Sequence, residues 1–306
     1  MNSVHFKRLL AILLCVVSVV LSVPYIPSME VKAATKDELV DSYKEQIKEL
    51  EEDKKRLEAE IKDLKADKAE QNAIKKAINK KIDNIKMQNQ IKDFIEQATF
   101  EFEANNVRYY YIECDDLDEE VLTINYNSNG VASRPTLGAP GDLFVMPESR
   151  MDYIPFSMEF ITYLFGGHAG VVIENNKIIE AMGGASDQMY VFENPTDLFY
   201  EERTVVGLRV VGSTKEERMR ACENARSIIG KPYNMLFVLN TKDRYYCTDI
   251  CNRIYSKEFG LDYKIDTNGF HVSCQDLMKS KDTMITYVKI VDGKTTHIYY
   301  LKNTKK

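Results

Sequence analysis

From Lys36 to Gln97 the sequence holds no Gly, Pro or Cys. Half of these 62 residues are charged, 15 Lys or Arg against 16 Asp or Glu. Apolar residues recur at alternating steps of four and three, through Tyr43, Ile47, Leu50, Leu57, Ile61, Leu64, Ile78, Ile82 and Ile85. That spacing is the seam of a heptad helix, broken at Lys54 and from Lys68 to Lys75. A helix of this length reaches about 90 Å at 1.5 Å per residue. It cannot bury its stripe alone, so the pattern predicts a coiled-coil arm. Its partner is a second copy, another coiled-coil protein, or its own other half folded back near Gln71 and Asn72. A solvated spacer is the plainer alternative. In either case the globular core must come from elsewhere in the chain.

Before the arm, Lys7 and Arg8 precede an apolar run from Leu9 to Leu21, broken by Pro24. Val31-Lys32-Ala33 offers a small-residue cleavage site. Residues 1–33 therefore read as an export signal, with a retained membrane anchor as the alternative. The run is short for a span of about 20 residues. The expected location is secreted or attached to a cell envelope. A net charge of -6 gives no support for nucleic-acid binding. Past the signal, five cysteines remain: Cys114, Cys222, Cys247, Cys251 and Cys274. Outside the cytosol an odd number leaves a thiol free or paired between chains.

After Gln97 the composition turns aromatic and β-branched. Val107–Ile112 and Val121–Tyr126 read as two strands of a hairpin around the acidic loop Asp115–Glu120, so residues 98–137 form a hairpin and linker. Residues 138–306 then alternate strand and helix signals. Gly141–Met146, His168–Glu174, Lys177–Ala181 and Val205–Val211 are strand candidates, and Ser157–Leu164 is a short helix candidate. Thr214–Ile229 reads as a helix stopped by Gly230, and Ser273–Ser280 as a short one. Met284–Val291 and Thr296–Leu301 flank Asp292-Gly293, a strong hairpin signal.

The chemistry gathers around Tyr245-Tyr246-Cys247. Cys247 opens a predicted helix that runs through Thr248–Phe259 and stops at Gly260. A helix N-terminus favours negative charge, and the thiolate is the nucleophilic form of cysteine. Such a nucleophile needs a base and a group that orients the base. His5 lies in the signal, His271 in a loop, and His297 reads as a surface residue of the last hairpin. His168 opens an apolar strand after two glycines and is the candidate base. Glu180 interrupts the apolar return strand. A turn at Asn175-Asn176 places it opposite Gly170 and diagonal to His168, within reach of long side chains. Glu174 competes but sits at the turn.

Taken in order, five motifs resemble the permuted papain-like amidases of the YiiX/YaeF group, which are related to NlpC-type cell-wall cysteine peptidases. They are Gly141-Asp142-Leu143, His168–Ile173, Ile179-Glu180-Ala181, Gly230–Tyr233 and Tyr246-Cys247-Thr248-Asp249. The resemblance covers roughly residues 138–280. It implies Cys247 as nucleophile, His168 as base and then acid, and Glu180 as orienter, with no cofactor and no metal. Tyr233, Tyr245 and Tyr246 are expected to wall the substrate cleft or donate to it. Thr248-Asp249-Ile250 stands where such proteins usually carry Ser-Glu-Leu, which keeps the chemical types. Cys251 is not expected there.

The fold expectation is α+β: a permuted papain-like, NlpC-like antiparallel sheet with a nucleophile helix, preceded by the coiled-coil arm. The implied activity is amide hydrolysis through a thioester, on a cell-wall peptide or a related acyl amide. Acyl-lipid amidase, esterase or acyltransferase chemistry is the nearest alternative. Two rivals fall outside it. One is a structural zinc site from Cys247, Cys251, His271 and Cys274. The other is a catalytically silent scaffold that docks through its arm.

Overall fold

The computed structural model describes Lys48 and residues 86–305, except 125, 127, 129–134, 148–166, 175–176, 183–188, 196–203, 235–236, 238, 240, 264 and 266–270. The export signal, most of the heptad arm and the helix candidate Ser157–Leu164 lie outside the described residues. The chain divides into two compact units, Met1–Lys92 and Asp93–Lys306. Residues 86–97 are helical.

The second unit is built on a nine-stranded sheet. Its strands are β1 (Thr99–Ala104), β2 (Val107–Glu113), β5 (Leu143–Met146), β6 (His168–Glu174), β7 (Lys177–Ala181), β8 (Val191–Pro195), β9 (Thr204–Val210), β10 (Thr283–Asp292) and β11 (Thr295–Lys302). Their order is β1-β2-β11-β10-β9-β5-β6-β7-β8. Two short strands, β3 (Leu122–Thr123) and β4 (Thr136–Leu137), pair separately. Among the described residues three further helices accompany the sheet: α1 (Lys215–Ser227), α2 (Cys247–Arg253) and α3 (Cys274–Lys279). The class is mixed α and β, as expected.

Two sequence expectations about the sheet need correction. The sheet is not wholly antiparallel, because β2 runs parallel to β11. The hairpin between Val107–Ile112 and Val121–Tyr126 does not form. Instead β2 turns back onto β1 through Asn105 and Asn106, both at positive φ, and lays its other edge on β11. Two asparagines tolerate that backbone better than most residues, so the tight turn precedes β2 instead of following it.

The centre of the sheet is covered on both faces. Every residue of β5 and β9 is buried, and so are the first six of β6. One row of side chains runs across six strands in register: Tyr287, Gly207, Phe144, Gly170, Glu180 and Phe192. Large and absent side chains alternate along its first four members. A Cβ at Gly207 would fall 2.0 Å from the Tyr287 ring, and one at Gly170 would fall 2.5 Å from the Phe144 ring. Each ring therefore lies over its neighbour's glycine, and the row stays level enough for helices to pack on the sheet.

Local capping explains the helices. In α1, Thr214 and Glu217 form a capping box. In α3, Ser273 and Asp276 form another. The helix expected from Thr248 to Phe259 is shorter than its pattern. α2 ends at Arg253, and Ser256 starts a separate 3-10 turn, Lys257–Phe259, by accepting from the Glu258 N–H. A serine that can bond its own downstream backbone offers the chain an alternative to continuing the helix. His297, expected at the surface, is fully buried on β11 between Tyr110 and Tyr299. Both faces of β11 are covered, so its neighbours' alternation does not mark a solvent side.

Candidate active site

α2 packs on β6 and β7, and this contact brings the candidate residues together. Cys247 is the first residue of α2, His168 the first of β6, and Glu180 lies on β7. Gly170 pairs with Glu180, so Glu180 is diagonal to His168, as the turn at Asn175-Asn176 predicts. His168 Nε2 donates to Glu180 Oε2 over 2.6 Å. The imidazole's second nitrogen, Nδ1, is then left for the sulfur, and the His168 and Cys247 side chains are hydrogen-bonded. Glu174, the competitor, is half-exposed and paired with Lys177.

Burial alone would drive both partners neutral. For the Cys247 thiol, burial pushes the pKa up. The charge and hydrogen bond of His168, with backbone N–H groups of Ala169 and Thr248, outweigh it and hold the thiol below its usual value. For His168, burial pulls down, and Cys247 and Glu180 outweigh it in the other direction. Both shifts favour the thiolate and imidazolium forms. No side chain caps α2, which leaves the Thr248 N–H free to serve the sulfur.

Glu180 is nearly fully buried, and both of its oxygens are used. Oε2 faces His168, and Oε1 accepts from Asn194 Nδ2 over 2.7 Å. Sequence reasoning missed Asn194. An amide next to Pro195 reads as the end of an edge strand, and only the β7–β8 register places it beside Glu180.

The three tyrosines separate. The buried hydroxyl of Tyr233 is hydrogen-bonded to the Cys247 sulfur. Burial, then that charge, raises its pKa well above the usual 10. Tyr233 is held by a bridge to Tyr245 and by its own N–H to the Met189 carbonyl. Tyr245 is taken up under the Arg253 guanidinium, 4.2 Å from its ring centre. Tyr246 accepts the Val272 N–H at its hydroxyl and packs against Phe237. Of the three, the contacts of Tyr233 alone reach the sulfur.

The remaining thiols are turned away from chemistry. Cys222, Cys251 and Cys274 point to the carbonyls of Val172, Gly170 and His168, and burial pushes all three pKa values up. No cysteine among the described residues is in a disulfide. No group of three or more His, Cys, Asp and Glu able to hold a metal ion occurs among the described residues, so the zinc rival finds no cluster there.

No curated protein matches the chain. Among solved structures, the crystal structure of metalloprotein yiiX from Escherichia coli O157:H7 is similar at 18% identity and a TM-score of 0.39. The likeness covers 48% of this chain and 95% of that one. The family expected from the five motifs is borne out by a family model: residues 154–281, which hold His168, Glu180 and Cys247, match the permuted papain-like amidases of the YaeF/YiiX type, the C92 family.

Proposed function

We propose that the protein is an exported thiol hydrolase that cleaves an amide bond, with Cys247, His168 and Glu180 as its catalytic set. The observation that carries this reading is the buried His168 ring, bonded on one side to Glu180 at 2.6 Å and on the other to the Cys247 side chain at the start of α2. The Cys247 thiolate attacks the carbonyl carbon. The oxyanion that forms takes the Cys247 N–H and the Tyr233 hydroxyl as donors. His168 gives its proton to the leaving amine, and a thioester remains. His168 then takes a proton from water, the resulting hydroxide equivalent attacks the thioester, and the acid leaves as the thiolate and imidazolium are restored. Glu180 holds the ring's orientation and its positive charge throughout.

The proposed substrate is a cell-wall peptide, or an acyl amide of like chemistry. An exported enzyme meets such amides, and a coiled-coil arm over residues 36–97 would dock it to a partner at the envelope. The test incubates wild type and Cys247→Ala with purified peptidoglycan and with a panel of N-acyl lipids, and reads products by mass spectrometry. New amine and carboxyl termini from wild-type protein only support the reading. Release from the lipid panel alone moves the substrate to acyl lipids. Equal products from Cys247→Ala, or none from either protein, overturn it.

A further inference from the structure

We propose that Asn194 is a positioning residue for the Cys247–His168 pair, acting through Glu180. The inference rests on the reading of that pair as the reacting groups. Three adjacent strands supply the arrangement. Glu180 on β7 faces Gly170 of β6 on one side and Phe192 of β8 on the other. His168 lies two residues before Gly170, and Asn194 two residues after Phe192. Because the strands alternate in direction, His168, Glu180 and Asn194 form one diagonal line across the sheet. Same-face diagonal neighbours are about 7–8 Å apart at the backbone, a span that only long or paired side chains close.

The chemistry of each bond is fixed by what the groups can do. The Asn194 amide nitrogen can only donate, so Oε1 must accept. That leaves Oε2 as the atom presented to His168 Nε2. Anchored by that donor, the carboxylate keeps Oε2 against the ring N–H. A carboxylate held there favours the imidazolium, and the imidazolium favours the thiolate. Without Asn194, a buried carboxylate oxygen loses its partner, a loss relieved by turning the group toward another donor. That turn weakens the bond to Nε2. Asn194 touches neither the sulfur nor the ring, so its effect travels through Glu180 alone.

The test reads the Cys247 thiolate directly. Full-length protein is alkylated with iodoacetamide from pH 4 to pH 10, and the rate at Cys247 is followed by peptide mass mapping. Asn194→Ala and Asn194→Leu remove the donor, the second with side-chain bulk kept. Both are expected to raise the midpoint of Cys247 alkylation by about one pH unit, a tenfold loss of thiolate below it. Asn194→Gln keeps an amide donor and is expected to recover at least half of that shift. Circular dichroism checks that each variant folds. His168→Gln serves as the reference for loss of the pair. If it raises the midpoint and the three Asn194 variants stay at the wild-type value, the role of Asn194 is overturned and the pair stands. If His168→Gln itself leaves the midpoint in place, the pair fails and the role of Asn194 falls with it.

Discussion

Single atoms set two of the constraints around Cys247. Gly170 is the first. A Cβ there would sit 2.5 Å from the Phe144 ring and 2.9 Å from the Ile179 carbonyl. Phe144 is itself buried and cannot swing clear. Gly170→Ala is expected to lower unfolding free energy by about 1–3 kcal/mol, the usual cost of overpacking. Urea melts should show part of that cost returned when Phe144→Leu is added, and none returned would remove the ring as the cause. Asp249 is the second. Burial raises its carboxyl pKa to about 7, with Arg253 opposing, and Oδ1 has no hydrogen-bond partner. Its folded pKa lies above the unfolded value near 4. Below about pH 4 both states carry the proton, and the group costs nothing. As pH rises from about 4 to about 7, the unfolded state ionises first and stability falls. Above about 7 the full cost is present, on the order of 4 kcal/mol. Asp249→Asn cannot ionise, so its urea midpoint should change less than that of wild type between pH 4 and pH 8. Identical slopes for the two proteins would exclude the carboxyl.

At the scale of elements, one strand organises three helices. Cys222 of α1, Cys251 of α2 and Cys274 of α3 each donate an S–H, at 3.4 to 3.5 Å, to a carbonyl of β6. The acceptors are Val172, Gly170 and His168, alternate residues along one edge of the chain. A cysteine fits such close approaches because it is small, and its weak donor works at sulfur distances. An oxygen hydrogen bond needs about 2.5–3.0 Å. In Cys251→Ser the hydroxyl is left short of Gly170 and must turn to the Cys247 carbonyl one turn back, 3.6 Å from the present sulfur, so the buried group is poorly satisfied at a cost of about 1–3 kcal/mol. Cys251→Ala leaves only a small void. Thermal melts should therefore rank wild type above alanine and alanine above serine, and serine above alanine would show that the carbonyl accepts an oxygen equally well. Local signals made much of this layer legible in the sequence. A turn read at Asn175-Asn176 predicts the Gly170–Glu180 pairing that β6 and β7 show, and with it the Glu180–His168 diagonal. Ser273 announced α3, and Asp292-Gly293 announced the last hairpin. Asn194 and the burial of His297 were not legible, because both follow from which strand lies alongside, and a strand's own alternation does not carry that. For the same reason β2 was assigned the wrong partner, since its neighbour β11 arrives almost 190 residues later.

Over the whole sheet unit, the acidic loop whose sequence reads as a hairpin tip has a different use. Asp118 and Glu119 answer two buried arginines, Arg209 of β9 and Arg218 of α1. Arg209 is also clasped by Asp142, through Nε to Oδ1 at 2.7 Å and Nη2 to Oδ2 at 2.9 Å. Asp142 is fully buried, and it accepts the Ala139 N–H as well. Its own carbonyl accepts the Val172 N–H of β6. The network therefore joins the segment after β2 to α1, β9 and the strand that carries His168. Asp142 and Arg209 are its buried pair, whereas Asp118 is half-exposed, and the balance of a buried pair differs from that of its halves. Removing one partner leaves a buried charge uncompensated and costs about 3–5 kcal/mol, whereas replacing both with apolar groups of similar volume is often neutral. Asp142→Leu leaves Arg209 with only the half-exposed Asp118 and the Ala139 N–H without its acceptor, so it is expected to lose up to about 3–5 kcal/mol in urea unfolding, and Asp142→Leu with Arg209→Met to recover a large part of it. The pH midpoint for alkylation of Cys247 should stay at its wild-type value in the double variant, because neither residue bonds His168, Glu180 or the sulfur. A double variant as unstable as the single one would mean that the ion pair itself, and not the burial it fills, ties these segments together.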